Sequence, residues 1–123
     1  MIVEEVSLKK HQAVHTDLAP AAVGPYSQAI KSGHLIFTSG QLGLIPESGK
    51  LPAGIEAQTK QVLANLAAVL TAAGSSMDDI VKTTIFLDNM ADLSTVNAIY
   101  AEAFSTTPPG RTTVEVAGLR LGG

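Results

Sequence analysis

Apolar residues recur along this chain in two rhythms, one of two residues and one of three to four. The places where one gives way to the other predict its elements. Ile2 to Leu8 is rich in β-branched and apolar residues and reads as a strand closed off by Lys9-Lys10, and Gln12 to Thr16 reads as a second, shorter strand. After the connector Ala19-Pro20-Ala21-Ala22 come two short apolar runs, Tyr26 to Ile30 and Leu35 to Ser39, with Lys31-Ser32-Gly33 between them as a hairpin turn. Pro46-Glu47-Ser48-Gly49-Lys50 reads as a loop. From Ile55 to Ala73 the rhythm is helical: Ile55, Val62, Leu66, Leu70 and Ala73 share a stripe that Leu63 and Val69 widen, and Gln58, Lys60 and Gln61 lie off it. Gly74 is placed to end that helix in a left-handed conformation. The period of two returns from Ile80 to Leu87, with Val81, Thr83, Ile85 and Leu87 on one face and Lys82, Thr84 and Phe86 on the other. Leu93, Val96, Tyr100 and Phe104 mark a second helix from Leu93 to Phe104, which Thr107-Pro108-Pro109-Gly110 stops, and Arg111 to Val116 is a last strand.

The order is four strands, a helix, a strand, a helix and a strand, without an internal repeat or a break that divides residues 1–123 into two domains. It predicts an α+β fold: a mostly antiparallel sheet with two helices packed on one face. Val, Ile and Leu occur on both sides of several strands, so the other face needs cover as well, and a second subunit is the expected cover.

Composition narrows the function. A chain of 123 residues is long enough for one domain with a real core, and with 46% apolar but only 4% aromatic residues that core is built from Ala, Val, Ile and Leu. The absence of cysteine removes disulfides and thiolate metal sites, and His11, His15 and His34 lack ligand spacing, so no metal is expected. The net charge is −3 and only Lys9-Lys10 are adjacent among the basic residues, which argues against nucleic acid as a partner. The apolar stretches are too short to span a membrane, and an N-terminus carrying Glu4 and Glu5 lacks the features of a secretory signal. A soluble protein of the cytoplasm, with an organelle left open, is the expectation.

The candidate chemistry sits at the ends of the hairpin and at the start of the last strand. Arg111 follows Pro108-Pro109-Gly110 and presents a guanidinium able to grip a carboxylate through two parallel hydrogen bonds; the plainer reading is a surface ion pair. Gly40 has no side chain to keep a carboxylate from its N–H, and it equally suits a bulge or strand end. Tyr26 offers a hydroxyl to orient an imine or a water, or packs as strand tyrosines do. Ser39 bonds a ligand or is satisfied by backbone. Asn97, beside the Leu93/Val96/Tyr100 stripe, positions the ligand or the loop before Arg111, or lies at the core boundary.

These residues resemble the RidA/YjgF family, also described as perchloric-acid-soluble or L-PSP proteins. The resemblance is carried by the run Ala19-Pro20-Ala21-Ala22-Val23-Gly24-Pro25-Tyr26-Ser27-Gln28-Ala29-Ile30, by Thr38-Ser39-Gly40-Gln41 and by Pro46-Glu47-Ser48-Gly49-Lys50. Further on it rests on Gln61-Val62-Leu63-Ala64-Asn65-Leu66, on Ala73-Gly74, on Val81 to Leu87 and on Val96-Asn97-Ala98-Ile99-Tyr100. Pro109-Gly110-Arg111-Thr112 is similar to the family's Pro-Ala-Arg-Ser. The match runs in order from Gln12 to Leu121. It implies a chorismate-mutase-like homotrimer with ligand clefts between subunits. It also implies hydrolysis of reactive enamines and imines, such as 2-aminoacrylate, to 2-oxo acids and ammonia, without metal or cofactor. Arg111 and the Gly40 N–H would then hold the substrate carboxylate, with Asn97 beside it and Tyr26 and Ser39 near the attacking water. Cleavage of RNA or inhibition of translation, and carboxylate binding without catalysis, are the rival functions.

One departure stands out. The family continues past its arginine strand into a terminal strand whose first glutamate is held to activate water, whereas this sequence ends at Leu119-Arg120-Leu121-Gly122-Gly123. Met1-Ile2-Val3-Glu4-Glu5-Val6 resembles that segment. The expectation is a circular permutant in which residues 1–8 replace the last strand and Glu4, or in a shifted register another residue of that strand such as Glu5, replaces its glutamate, the ends lying close enough to permit it. The alternative is truncation with an unrelated N-terminal extension.

Overall fold

A two-residue loop, Gly33-His34, closes the central hairpin: Ser32 pairs with Leu35 and Ala29 with Thr38. Gly33 has φ 58° at the first loop position, where a type II′ turn calls for glycine. In the computed structural model, which describes residues 11–123, this tight turn draws Lys31 and Ser32 into the ladder. The hairpin strands are therefore β2 (Ala29–Ser32) and β3 (Leu35–Thr38), and Tyr26 and Ser27 precede the strand they were expected to open. β1 (His11–Val14) pairs antiparallel with β2, Val14 opposite Ala29. The expected strand Ile2 to Leu8, the proposed exchange of ends and Glu4 lie outside the described residues.

Helix α1 (Ile55–Ala72) covers one face of this sheet. Val69 and Ala73 pack with Val14, Ala19 and Ala29, with Ile36 and Ala68 alongside. Its end follows the predicted glycine: Gly74 adopts φ 85°, Ser75 N–H donates to Leu70 O at 2.8 Å, and Gly74 N–H to Thr71 O at 3.0 Å. That pair of bonds is the Schellman arrangement. The buried stripe carries two polar residues that hydrophobic spacing alone passes over, Thr59 and Asn65.

The rest is a strand–helix–strand unit. β4 (Lys82–Leu87) and β5 (Gly110–Glu115) pair in parallel, because α2 (Leu93–Glu102) carries the chain back to the end from which β4 started. The described strands thus form a three-stranded antiparallel sheet and a two-stranded parallel one. Along β4, half-buried Thr83 and Ile85 and buried Leu87 alternate with exposed Lys82, Thr84 and Phe86, the predicted pattern. Large aromatic side chains stand open on these strands: Phe37 on β3 is 59% exposed and Phe86 on β4 53%.

Candidate active site

Arg111 is fixed in space by its strand. Gly110 N–H donates to Val81 O at 3.1 Å, which starts the β4–β5 ladder and sets Arg111 opposite Thr83. Thr83 shares a 2.7 Å hydrogen bond with the Tyr100 hydroxyl, and the Arg111 guanidinium lies 5.0 Å from the centroid of the Tyr100 ring. The ring's negative face attracts the cation and orients its plane, and Phe104 backs the ring at 4.9 Å. Asn97 and Ala101, three residues before and one after Tyr100 on α2, complete a cavity of about 310 Å³ with Phe104, Pro108 and Arg111. Among the described residues Arg111 has no acidic partner. Its fork of donors is open to a planar anion.

The loop that brings Pro108 to this cavity is tied down by Asp78. Its carboxylate accepts Ser105 N–H at 3.1 Å and the Ser105 hydroxyl at 2.6 Å. The hydroxyl and then the amide of Ser105 stabilise the anion and hold Asp78 below the ordinary aspartate value of 3.8.

Tyr26 and Gly40 line a second cavity of about 250 Å³, together with Gln28, Gln41, Leu42 and Arg120 among others. Its wall is built by side-chain clamps. Gln28, only 3% exposed, accepts Thr16 N–H at 2.7 Å and donates to Thr16 O at 3.0 Å and Pro20 O at 2.9 Å, so the 16–20 segment is sewn to the strand beside it. Asn65, 1% exposed, donates to Leu42 O and Leu44 O at 3.0 and 2.8 Å and accepts from Gln61. This lays the 42–44 segment flat on α1. Gly43 meets the helix so closely there that a Cβ would come within 2.6 Å of Gln58 O.

A family comparison decides what this frame belongs to. The sequence model of the family described as Endoribonuclease L-PSP matches residues 16–123. The chain belongs to the L-PSP, or RidA/YjgF, family. Reactive Intermediate Deaminase A, chloroplastic, of Arabidopsis thaliana is 52% identical over 91% of this chain, which spans 60% of that protein's length. The 2-iminobutanoate/2-iminopropanoate deaminase of Escherichia coli K12 is 47% identical over 88% of this chain and 87% of its own length. A solved Rid-family structure from Yersinia pestis superposes with a TM-score of 0.89 at 48% identity, covering 91% of this chain and 90% of that one. The α+β fold expected from the sequence is thus the fold of the L-PSP family.

Within one chain the structure brings the expected site residues together in two groups. Arg111 joins Asn97, and Tyr26 joins Gly40; the two cavities share no lining residue. Ser39 does not line either cavity. Its amide donates to Gln28 O at 3.0 Å and its hydroxyl to Ser27 O at 2.6 Å, so its proton is spent holding the bend that presents Tyr26. Sequence reasoning named Gln28, Asn65 and Tyr100 within the runs that carry the resemblance and gave no site role to them or to Arg120; the structure places Gln28 and Arg120 on one cavity, Tyr100 on the other and Asn65 under the 42–44 segment. Asn65 carried a signal, a polar residue three after Val62 and four before Val69 on a buried stripe, which has to find hydrogen-bond partners there. Tyr100 sat on its helix stripe and read only as core.

Proposed function

We propose that this chain hydrolyses reactive 2-enamino and 2-imino acids to 2-oxo acids and ammonia. The observation that carries this reading is the Arg111 guanidinium, held over Tyr100 beside Asn97 in an open cavity and without an acidic partner among the described residues. A cation fixed in this way suits the carboxylate of a small acid. The deaminase names of relatives at 52% and 47% identity support the chemistry.

In the proposed reaction an enamine first tautomerises to the imine, and Arg111 pairs with its carboxylate. The Gly40 N–H supports that carboxylate from the other cavity. Water adds to the imine carbon, oriented by the Tyr26 hydroxyl and deprotonated by Glu4, the acid assigned from the sequence. The proton passes to nitrogen to give a carbinolamine; its hydroxyl proton then moves to the amino group, the carbonyl forms as the carbon–nitrogen bond breaks, and ammonia leaves. Ser39 acts through the Tyr26 bend. The two cavities become one site when Arg111 and Asn97 of one copy face Tyr26 and Gly40 of another, and the assembly proposed is a homotrimer. The exposure of Phe37 and Phe86, large apolar side chains that call for cover, supports self-association. A net charge of −3 disfavours RNA as the substrate.

A dehydratase that releases 2-aminoacrylate, coupled to detection of the 2-oxo acid, tests the proposal. Wild-type protein should speed hydrolysis. Arg111→Ala should lower kcat/KM on the order of 100-fold through loss of the carboxylate anchor, and Glu4→Gln should lower kcat. Unchanged turnover in Arg111→Ala would remove the anchor assignment.

A further inference from the structure

The cavity around Tyr26 holds a cation that the proposed reaction does not use. Arg120 lines it, and its Nη1 donates a long hydrogen bond of 3.5 Å to the Tyr26 hydroxyl. The segment that carries it is folded back against the cavity wall. Gly122 N–H donates to Leu119 O at 3.1 Å and Gly123 N–H to Arg120 O at 3.2 Å, closing a tight turn. Leu121 within the turn adopts φ 58°, a left-handed conformation rare for a branched side chain. Gly123 abuts Leu42, whose Cδ2 would stand 2.8 Å from a Cβ at that position. Leu42 in turn follows Gly40-Gln41 and has its carbonyl held by Asn65. The turn therefore rests on the same clamped segment that supplies the Gly40 N–H. Among the described residues Arg120 has no acidic partner.

We propose that Arg120 is a specificity-determining residue that binds the side-chain carboxylate of 2-imino dicarboxylic acids in the Tyr26 cavity. This rests on the deaminase reading above. With Arg111 holding the carboxylate next to the imine, a second guanidinium beside Tyr26 finds its partner on the far end of the substrate. A neutral or cationic side chain gains nothing from Arg120. A carboxylate there forms a charge-assisted pair in a partly enclosed cavity. The reaction is unchanged in its balance: water adds across the carbon–nitrogen bond of 2-iminosuccinate or 2-iminoglutarate, and the 2-oxo dicarboxylate and ammonia leave.

The test compares wild type with Arg120→Met, which keeps an unbranched apolar stem and removes the charge. Amino-acid oxidases acting on glutamate and on 2-aminobutanoate supply 2-iminoglutarate and 2-iminobutanoate, and the readout is the ratio of kcat/KM for the two. Removal of Arg120 should lower that ratio on the order of tenfold, the size of a charge-assisted hydrogen bond. An equal fall with both substrates, or an unchanged ratio, overturns the proposal. Binding of the product acids, 2-oxoglutarate against 2-oxobutanoate, is measured by calorimetry on the same proteins. If wild type hydrolyses neither imine, the deaminase reading fails, and calorimetry alone decides the role of Arg120. A preference for 2-oxoglutarate that disappears in Arg120→Met upholds it, and the absence of such a preference overturns it.

Discussion

At the scale of single residues, polar side chains bonded to neighbouring backbone and side chains set the shape of the cavities. Asn65 shows this most directly. Its amide nitrogen serves two carbonyls, Leu42 O and Leu44 O, from a position 1% exposed. Removing that donor leaves two inward-facing carbonyls without a partner, and an unsatisfied buried polar group costs about 1–3 kcal/mol. Asn65→Ala should therefore lower the free energy of unfolding by about that amount in urea titration. Asn65→Asp, nearly isosteric but unable to donate, should be at least as damaging. If Asp is tolerated and Ala is not, the side chain matters for volume and the clamp is misassigned. Gln28 follows the same logic on the other wall, where one amide spans both the N–H and the carbonyl of Thr16. The Tyr100 hydroxyl does a comparable job for Arg111: its bond to Thr83 fixes the ring on which the guanidinium rests.

At the scale of elements, the loop between α2 and β5 depends on a charge. Asp78 binds Ser105 through two hydrogen bonds that favour its ionised form, and its value is lowered below 3.8. A carboxyl with a depressed folded-state value stabilises the fold above its unfolded value, and the contribution disappears as pH falls through the folded value. The urea midpoint of the wild type should accordingly fall more between about pH 6 and about pH 3 than that of Asp78→Asn, which has no proton to gain. Equal falls in both would mean that the Ser105 bonds do not depend on the carboxylate charge. Elements were also where the sequence spoke most clearly. Period and punctuation placed both helices within two residues of their ends, and Gly74 ended α1 as its spacing required. The hairpin was legible, but its register was not: a two-residue Gly33-His34 loop pulled Lys31 and Ser32 into β2 and left Tyr26 outside it. Apolar runs mark where a strand is, whereas the turn's backbone geometry fixes which residues pair. The expected sheet was mostly antiparallel, and the parallel pair of β4 with β5 was not singled out although the helix between them requires it; the grouping of Arg111 with Tyr100 needed three dimensions, since register alone sets Arg111 across from Thr83.

At the scale of the whole molecule, the candidate site is divided. Arg111 and Asn97 line one cavity, Tyr26 and Gly40 another, and Phe37 and Phe86 stand exposed on their strands. Self-association of the proposed kind addresses both features, since it buries apolar area and joins half-sites that carry complementary chemistry. It also makes a quantitative demand that a site formed within one chain does not. Take Arg111→Ala and Tyr26→Ala, each nearly inactive alone, and co-refold them in equal amounts. If every site draws Arg111 from one subunit and Tyr26 from its neighbour, about one site in four in randomly mixed trimers receives both native residues, and deaminase activity should return to roughly that fraction of wild type. If each chain builds its own site, every site in the mixture lacks one of the two groups, and mixing restores nothing. Sedimentation of the mixture at three times the monomer mass would exclude failed assembly as the reason for a negative result. Recovery without a trimer would place the shared site in a different assembly, still between chains.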